Sequence, residues 1–191
     1  MPMTRNDLRE ILLSLDLSNR QGEQIRRERM VELLDSCMGC FRRDAFPAHF
    51  TGSALVVSAN GTHCLLNHHR KLDRWLQFGG HCDGEEDLLA VAQREAFEES
   101  GIDGLIVASR RPFDLDIHEI PAIGDEPAHF HYDIRYVLIA PEQAEFRPSP
   151  ESNELLWFSA DEVKRLELDN GLRRMVDKWQ SLLARRTHTN P

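Results

Sequence analysis

The sequence has no long hydrophobic run, no low-complexity tract and few cysteines. Charged residues interrupt the apolar ones throughout, so no segment approaches the roughly 20 apolar residues of a transmembrane helix. The first 21 residues mix Leu with Asp, Arg and Glu and lack the apolar core of a signal peptide. Four cysteines in 191 residues fit reduced thiols better than a disulfide framework. We therefore expect a globular, cytoplasmic protein without a membrane partner.

The chain also lacks an excess of positive charge. Its 23 Lys and Arg residues stand against 32 Asp and Glu, which gives a formal net charge of −9. Proteins that coat nucleic acid place clustered cations against phosphates. We therefore expect no nucleic-acid polymer as a partner, whereas a small anionic ligand held through metal ions is compatible with this charge.

The pattern of apolar residues changes near residue 47. Apolar residues at helical spacing predict helices over residues 5–16 and about 20–38. Two β-prone runs then follow Pro47, separated by Asn60-Gly61, a dipeptide that favours a tight hairpin turn. We therefore predict an N-terminal helical extension, residues 1–47, and one main domain, residues 48–191.

Further strands and helices alternate irregularly along the main domain. The segment "RWLQFGG" predicts a short strand, and strands are expected at about 104–118, 129–140 and 154–159. Helices are expected over 86–100, from the cap Ser159 onward, and over about 170–185. Because regular βαβ alternation is missing, the pattern favours an α+β fold or an α/β/α sandwich with a mixed sheet.

The predicted helix that precedes Gly101 concentrates negative charge on one side. Glu95 and Glu99 lie about 40° apart around the helix axis, and Glu98 lies about 60° to the other side of Glu95. Like charges at this spacing repel, and a hard divalent cation such as Mg²⁺ reverses that effect. Arg94 is placed to orient the carboxylates. The site is therefore predicted to bind metal, the alternative being a solvated acidic face.

The residues around this helix resemble the Nudix box of the Nudix hydrolase family. The match covers 23 residues and every defined position of the box: Gly80, Glu86, Arg94, Glu95, Ala96, Glu98, Glu99, Gly101 and Ile102. A looser resemblance in the order of elements extends from about residue 48 to 168. It implies a Nudix-type α/β/α sandwich and Mg²⁺- or Mn²⁺-dependent hydrolysis of a diphosphate, typically in a nucleoside diphosphate derivative.

The same resemblance implies roles for individual residues. The metal ligands are the Glu95, Glu98 and Glu99 carboxylates together with the Gly80 carbonyl, and Arg94 with Glu86 supports them. Water is the nucleophile. The proton acceptor is Glu95 or one of two glutamates in the later segment "SPESNELLWF", Glu151 and Glu154. The sequence does not choose among these three.

Two other segments offer substrate contacts. The loop "HHRKLDRW" places Arg70 and Arg74 where phosphates could be met, although a solvated basic loop has the same composition. The strand "HFHYDIRY" puts His129, His131 and Arg135 on one face, which predicts a pocket wall or an exposed sheet face. No third His or Cys stands near His129-x-His131 in sequence, so substrate contact is favoured over metal binding there.

Alternative functions and an interaction with a second copy stay open. A non-catalytic sensor of nucleotide derivatives would share the fold, but loss of box carboxylates would be expected for it. An isopentenyl-diphosphate isomerase resembles a different pattern of Cys, His and Glu, and Cys64 is the nearby thiol upstream of the box. The attached group of the substrate is undetermined, because residues outside the box recognise it. The N-terminal helices could cap the sandwich, cover the pocket or mediate a homodimer.

Overall fold

The structure is a computed structural model that describes residues 2–18 and 20–188. The described residues form five helices and eight strands. The helices are α1 Arg5–Leu13, α2 Gln21–Ser36, α3 Leu88–Ser100, α4 Ala160–Val163 and α5 Asn170–His188. The strands are β1 Ala48–Val57, β2 His63–His69, β3 Arg74–Leu76, β4 Phe78–His81, β5 Ile106–Val107, β6 Asp114–Ile120, β7 His129–Ile139 and β8 Ser152–Ser159. None of the helices within these ranges is long and apolar enough to cross a bilayer.

The strands belong to one eight-stranded sheet, and the chain divides into two compact units. The strand order is β3-β2-β1-β7-β5, with β4 paired to β1, β6 to β7 and β8 to β2. The first unit contains residues up to 53, 79–92 and 109–136, and the second contains 54–78, 93–108 and the residues from 137 onward. Strands β1 and β7 and helix α3 continue from one unit into the other.

In the first unit, the N-terminal helices are tied to the loop that precedes α3. Helix α1 begins with a capping box, in which the Thr4 hydroxyl accepts from the Asp7 N–H and the Asp7 carboxylate accepts from the Thr4 N–H. The backbone N–H of Met3 donates to Asp87 over 2.8 Å, and that of Arg5 donates to Glu86 over 2.9 Å. The start of the chain is therefore anchored on box residues by backbone hydrogen bonds.

In the second unit, β2 lies between β3 and β8 and pairs with both in antiparallel register. The β1–β2 connection turns at Gly61, whose φ of 75° is easily adopted without a Cβ. The Asn60 side chain accepts from the Thr62 N–H over 3.0 Å. Strand β8 ends at Ser159, which caps α4 through a capping box with Glu162, as the sequence predicts.

The structure corrects two of the predicted strands. The strand expected at 104–118 is two strands, β5 and β6, which both pair with β7. Residues 109–112 leave the ladder between them, and Pro112 has no N–H to donate. The segment "RWLQFGG" also forms two strands, β3 and β4, rather than one. Helix α3 ends as predicted, with Gly101 at φ 67° donating its N–H to the Phe97 carbonyl.

Candidate active site

Helix α3 presents the three predicted metal-binding glutamates in the second unit. Nη1 of Arg94 lies 2.6 Å from Oε1 of Glu95 and 3.6 Å from Oε2 of Glu98. The Glu95 side chain is 14% exposed and that of Glu98 is 56% exposed. Ala96, on the other side of the helix, is fully buried. The helix is thus anchored by an apolar side and presents a charged side, on which Arg94 holds two carboxylates.

Asn67 on β2 fixes the third glutamate, and the sequence reasoning missed it. Its Nδ2 donates to Oε2 of Glu99 over 3.3 Å, and the residue is only 1% exposed. A buried amide that holds a carboxylate limits the rotation of that carboxylate. The signal in the sequence is weak: Asn67 is the first of three polar residues that follow the apolar run "CLL" in β2.

The donor chemistry of this face fits a hard divalent cation. This face carries three carboxylates and the guanidinium of Arg94, so the net charge of the four side chains is −2. Mg²⁺ is held by a few carboxylate oxygens and retains several waters. The exposure of Glu98 gives such waters access. The three carboxylates, which we name the acidic face of α3, therefore suit Mg²⁺ or Mn²⁺ better than a nitrogen- or sulfur-preferring metal.

The basic loop after β2 meets the segment that leads into β8. The backbone N–H of Arg70 donates to the Glu151 carbonyl over 2.8 Å, and its guanidinium donates to the Ser152 carbonyl over 3.1 Å. Arg70, Arg74 and Glu151 are exposed. The structure therefore brings Arg70 and Glu151 together, as neighbouring groups on the surface of the second unit.

The register of β2 and β8 separates Glu154 from the acidic face of α3. His68 is paired with Glu154, and Asn67 is paired with Leu155. Side chains of directly paired residues share a sheet face, and successive side chains along a strand alternate. Since Asn67 points toward Glu99, Glu154 projects from the opposite face of the sheet.

His129 and His131 belong to a histidine cluster in the first unit. Their Nε2 atoms are 3.2 Å apart, and the ring of His49 lies 4.9 Å and 4.8 Å from their rings. His81 lies 5.0 Å from His131. Burial, followed by the neighbouring imidazoles, lowers the pKa of His131 to about 2. No third histidine stands near this pair in sequence, but the fold brings His49 of β1 to it.

Arg135 is buried within a group of carboxylates in the first unit. Its Nε donates to Asp133 over 2.6 Å and its Nη2 to Asp116 over 3.0 Å, and Asp114 lies 3.7 Å from Nη1. Burial alone would lower the pKa of Arg135, but these three negative charges raise it above its ordinary value. The hydroxyl of Thr51 donates to Asp133 as well. Arg135 is therefore engaged by the protein itself rather than presented as a surface contact.

Gly80 lies on β4 in the first unit, next to a glycine that the packing requires. A Cβ on Gly79 would lie 2.8 Å from the Cα of Ser53, a distance that real Cβ atoms do not adopt. The close approach of β4 to β1 at this point thus depends on Gly79. It fixes the backbone that carries Gly80, the predicted carbonyl ligand.

The cysteines do not support isomerase chemistry. All four are free, and Cys64 is fully buried on β2. Burial raises the pKa of the Cys64 thiol to about 12. A thiol in this environment is inert, so Cys64 is a packing residue.

Helix α3 and strand β4 before it carry the box that the sequence resembles, and the class of proteins with this box consists of hydrolases of phosphorus-containing anhydrides. The family model described as NUDIX domain matches residues 49–179, and the chain belongs to the Nudix hydrolase family. It is a pyrophosphohydrolase of that family. The predicted fold class is confirmed: a Nudix-type α/β/α fold with a mixed sheet and additional N-terminal helices.

Solved structures share this fold at low sequence identity. A NUDIX-family hydrolase from Clostridium perfringens is 22% identical, with a TM-score of 0.52, over 70% of this chain and 97% of that chain. An Ap4A hydrolase from C. elegans is 18% identical, with a TM-score of 0.54, over 71% of this chain and 97% of that chain. No curated protein matches the chain. The structural likeness therefore concerns the fold, and the substrate has to be argued from the site.

Proposed function

We propose that the protein hydrolyses a diphosphate linkage in a nucleoside diphosphate derivative or a similar small phosphorylated compound, with Mg²⁺ or Mn²⁺ bound at the acidic face of α3. One observation carries this proposal: Glu95, Glu98 and Glu99 lie on one helix, with Arg94 held between the first two and Asn67 bonded to the third. A merely solvated acidic helix would not need a buried amide to fix one carboxylate.

The surroundings of each side chain determine its role in the proposed reaction. A bound divalent cation offsets the charge of the diphosphate and lowers the pKa of a coordinated water. Arg94 keeps the carboxylates of Glu95 and Glu98 oriented, and Asn67 keeps that of Glu99 in place. Proton acceptance from the attacking water falls to Glu95 or Glu151, because Glu154 projects from the other sheet face.

Exposed cations of the second unit account for substrate binding. The guanidinium groups of Arg70 and Arg74 are open to solvent, where they can meet phosphate oxygens. His129, His131 and Arg135 do not share this exposure, and we assign them no substrate contact in this proposal.

A panel of phosphorylated compounds tests the proposed reaction. Wild-type protein with Mg²⁺ is incubated with ADP-ribose, dinucleoside polyphosphates, deoxynucleoside triphosphates and non-nucleotide diphosphates, and products are separated by chromatography. Water labelled with ¹⁸O identifies the phosphorus atom that is attacked. We expect one class to be cleaved, with the label in a phosphate-containing product. Binding of a compound without any turnover would instead indicate a sensor.

We also propose the setting in which this reaction occurs. Residues 1–47 form an extension to a hydrolase domain of residues 48–191, and the enzyme acts in the cytoplasm, in keeping with four free thiols. Two copies associate as a homodimer. Light scattering on the purified chain tests this: twice the chain mass of 22.0 kDa is expected, and a value equal to the chain mass contradicts it.

A further inference from the structure

Three imidazoles converge in the first unit, those of His49, His129 and His131. His49 lies on β1 and His129 and His131 lie on β7, the neighbouring strand in the sheet. One ligand atom from each lies within 4.8 Å of the other two. Among the residues that the structure describes, this is the one group of three or more potential metal ligands that converges so closely.

Backbone carbonyls fix the protonation of two of these rings. Nδ1 of His49 lies 3.2 Å from the Ala45 carbonyl, and Nδ1 of His129 lies 2.9 Å from the Pro127 carbonyl. A carbonyl only accepts, so each Nδ1 carries the hydrogen and each Nε2 of the neutral ring carries a lone pair. Bonding of the outer ring nitrogen to a carbonyl is the arrangement that orients metal-binding histidines.

The lone pair on Nε2 of His49 accepts no hydrogen bond in the described structure. Its Nε2 is buried and has no hydrogen-bond partner among the described residues. The alternative is a set of core histidines that satisfy one another, and the 3.2 Å contact between the Nε2 atoms of His129 and His131 allows one such bond. That bond still leaves Nε2 of His49 without a donor, and a buried acceptor without a hydrogen bond is unfavourable.

We propose that His49, His129 and His131 bind a borderline divalent cation of the Zn²⁺ class through their Nε2 atoms. Imidazole ligands suit Zn²⁺, Cu²⁺, Ni²⁺ and Co²⁺, whereas Mg²⁺ prefers oxygen. Nitrogen atoms at 2.0–2.1 Å from a tetrahedral Zn²⁺ are about 3.4 Å apart. The 3.2 Å between the Nε2 atoms of His129 and His131 is already close to this value. Three protein ligands leave a fourth position for water or a further side chain.

Two neighbouring groups could complete or tune the site. Oε1 of Glu126 lies 3.8 Å from Nε2 of His129. The ring of His81 lies 5.2 Å from that of His49. Because the three ligands come from β1 and β7, bound metal would link these two strands. This nitrogen site differs in ligand type from the acidic face of α3 and does not depend on the proposed hydrolysis.

Metal binding to the full-length protein after chelator treatment tests the proposal. We expect one equivalent of Zn²⁺ to bind in calorimetry, with no competition from millimolar Mg²⁺. His49→Leu and His131→Gln each remove a ligand and should weaken Zn²⁺ binding on the order of 100-fold or more, since loss of even an outer hydrogen bond costs about 10- to 100-fold. His63→Gln, a histidine on β2 outside the cluster, and Glu98→Gln should bind Zn²⁺ as the wild type does.

Measurements on the wild type keep the test valid if a variant fails to fold. One equivalent of Zn²⁺ should shift the Nε2 resonances of His49, His129 and His131 in long-range ¹H–¹⁵N spectra. The Co²⁺ form should show the intense visible absorption of a tetrahedral complex. Unmoved imidazole resonances, or Zn²⁺ affinity unchanged in both cluster variants, would overturn the proposal.

Discussion

Glu98 and Arg135 show that the surroundings of a charged residue determine whether it can bind a ligand. The Glu98 side chain is 56% exposed and shares Arg94 with Glu95, so a ligand can reach it. The Arg135 side chain is 3% exposed and faces three aspartates, so the protein itself neutralises it. Both were equally visible as charged residues in the sequence. Their burial could not be predicted, because it depends on residues that lie far apart in the chain.

Asn67→Ala should weaken metal activation without removing a metal ligand. The substitution removes the hydrogen bond from Nδ2 of Asn67 to Glu99, and loss of such an outer hydrogen bond costs about 10- to 100-fold in metal affinity or activity. Titration of the hydrolysis rate against Mg²⁺ measures this, and kcat at saturating metal should fall less than the affinity. Asn153→Ala, on the exposed side of β8, is the matched control. An unchanged Mg²⁺ dependence in Asn67→Ala would remove Asn67 from the site.

Arg135→Met should strongly destabilise the fold. It leaves Asp114, Asp116 and Asp133 without their shared buried cation, and breaking a buried ion pair costs about 3–5 kcal/mol. Urea unfolding gives the free energy. Arg9→Met, which breaks the exposed pair with Asp35, is the control and should leave the unfolding midpoint nearly unchanged. Equal effects of the two substitutions would contradict a special role for the buried group.

At the scale of elements, local signals predicted helix ends better than strand ends. Gly101 and the Ser159–Glu162 pair act through their own backbone and near neighbours, and both were predicted. The division of 104–118 into β5 and β6 depends on which residues of β7 they pair with, which is not visible locally. The sequence predicts a helix from residue 86, but α3 begins at Leu88, and the side chains of Glu86 and Asp87 accept hydrogen bonds from the N-terminal segment.

Ser159→Ala should shorten or loosen the start of α4. Removing the hydroxyl leaves the Glu162 N–H without its cap, which costs about 1 kcal/mol. Thermal unfolding followed by circular dichroism measures the loss, and Ser159→Asp, which keeps an acceptor at the cap, should restore most of it. No difference between Ser159→Ala and wild type would show that the cap does not stabilise the fold.

The stability that the Ser159–Glu162 capping box contributes depends on pH, and the direction of this dependence follows from the pKa of Glu162. Hydrogen bonds from the Ser159 hydroxyl and backbone lower the pKa of Glu162 below its ordinary value of 4.5. A lowered folded-state pKa contributes stability above the unfolded value and loses it as the pH falls through the folded value. The stability difference between wild type and Ser159→Ala should therefore shrink below pH 4.5 in unfolding curves. A difference that grows on acidification would contradict this assignment.

At the scale of the whole molecule, the sequence predicted the family and the acidic face, but not the histidine cluster. The box places its glutamates on one helix by local spacing alone. The convergence of His49 with His129 and His131 depends on β1 and β7 being neighbours in the sheet. No spacing rule along the chain encodes that neighbour relation, so the sequence alone favours a substrate contact for His129 and His131.

Mg²⁺ should raise the thermal stability of the wild-type protein. Glu95, Glu98 and Glu99 repel one another, and a cation that binds only the folded state at ten times its Kd stabilises by about 1.4 kcal/mol. For a chain of this size that moves Tm by roughly 3–6 °C. Differential scanning fluorimetry measures the shift, which Glu98→Gln should reduce. The absence of any shift at millimolar Mg²⁺ or Mn²⁺ would count against metal binding at this face.

The most direct test of the central claim is kcat/KM for the best substrate, with saturating Mg²⁺, in three proteins: wild type, Glu98→Gln and Glu32→Gln. The two substitutions make the same chemical change, and Glu32 is an exposed residue of α2 outside the acidic face. We predict that Glu98→Gln lowers kcat/KM by at least about 100-fold, or roughly 2.7 kcal/mol, while Glu32→Gln equals the wild type. Wild-type kcat/KM in Glu98→Gln would contradict catalysis at the acidic face of α3.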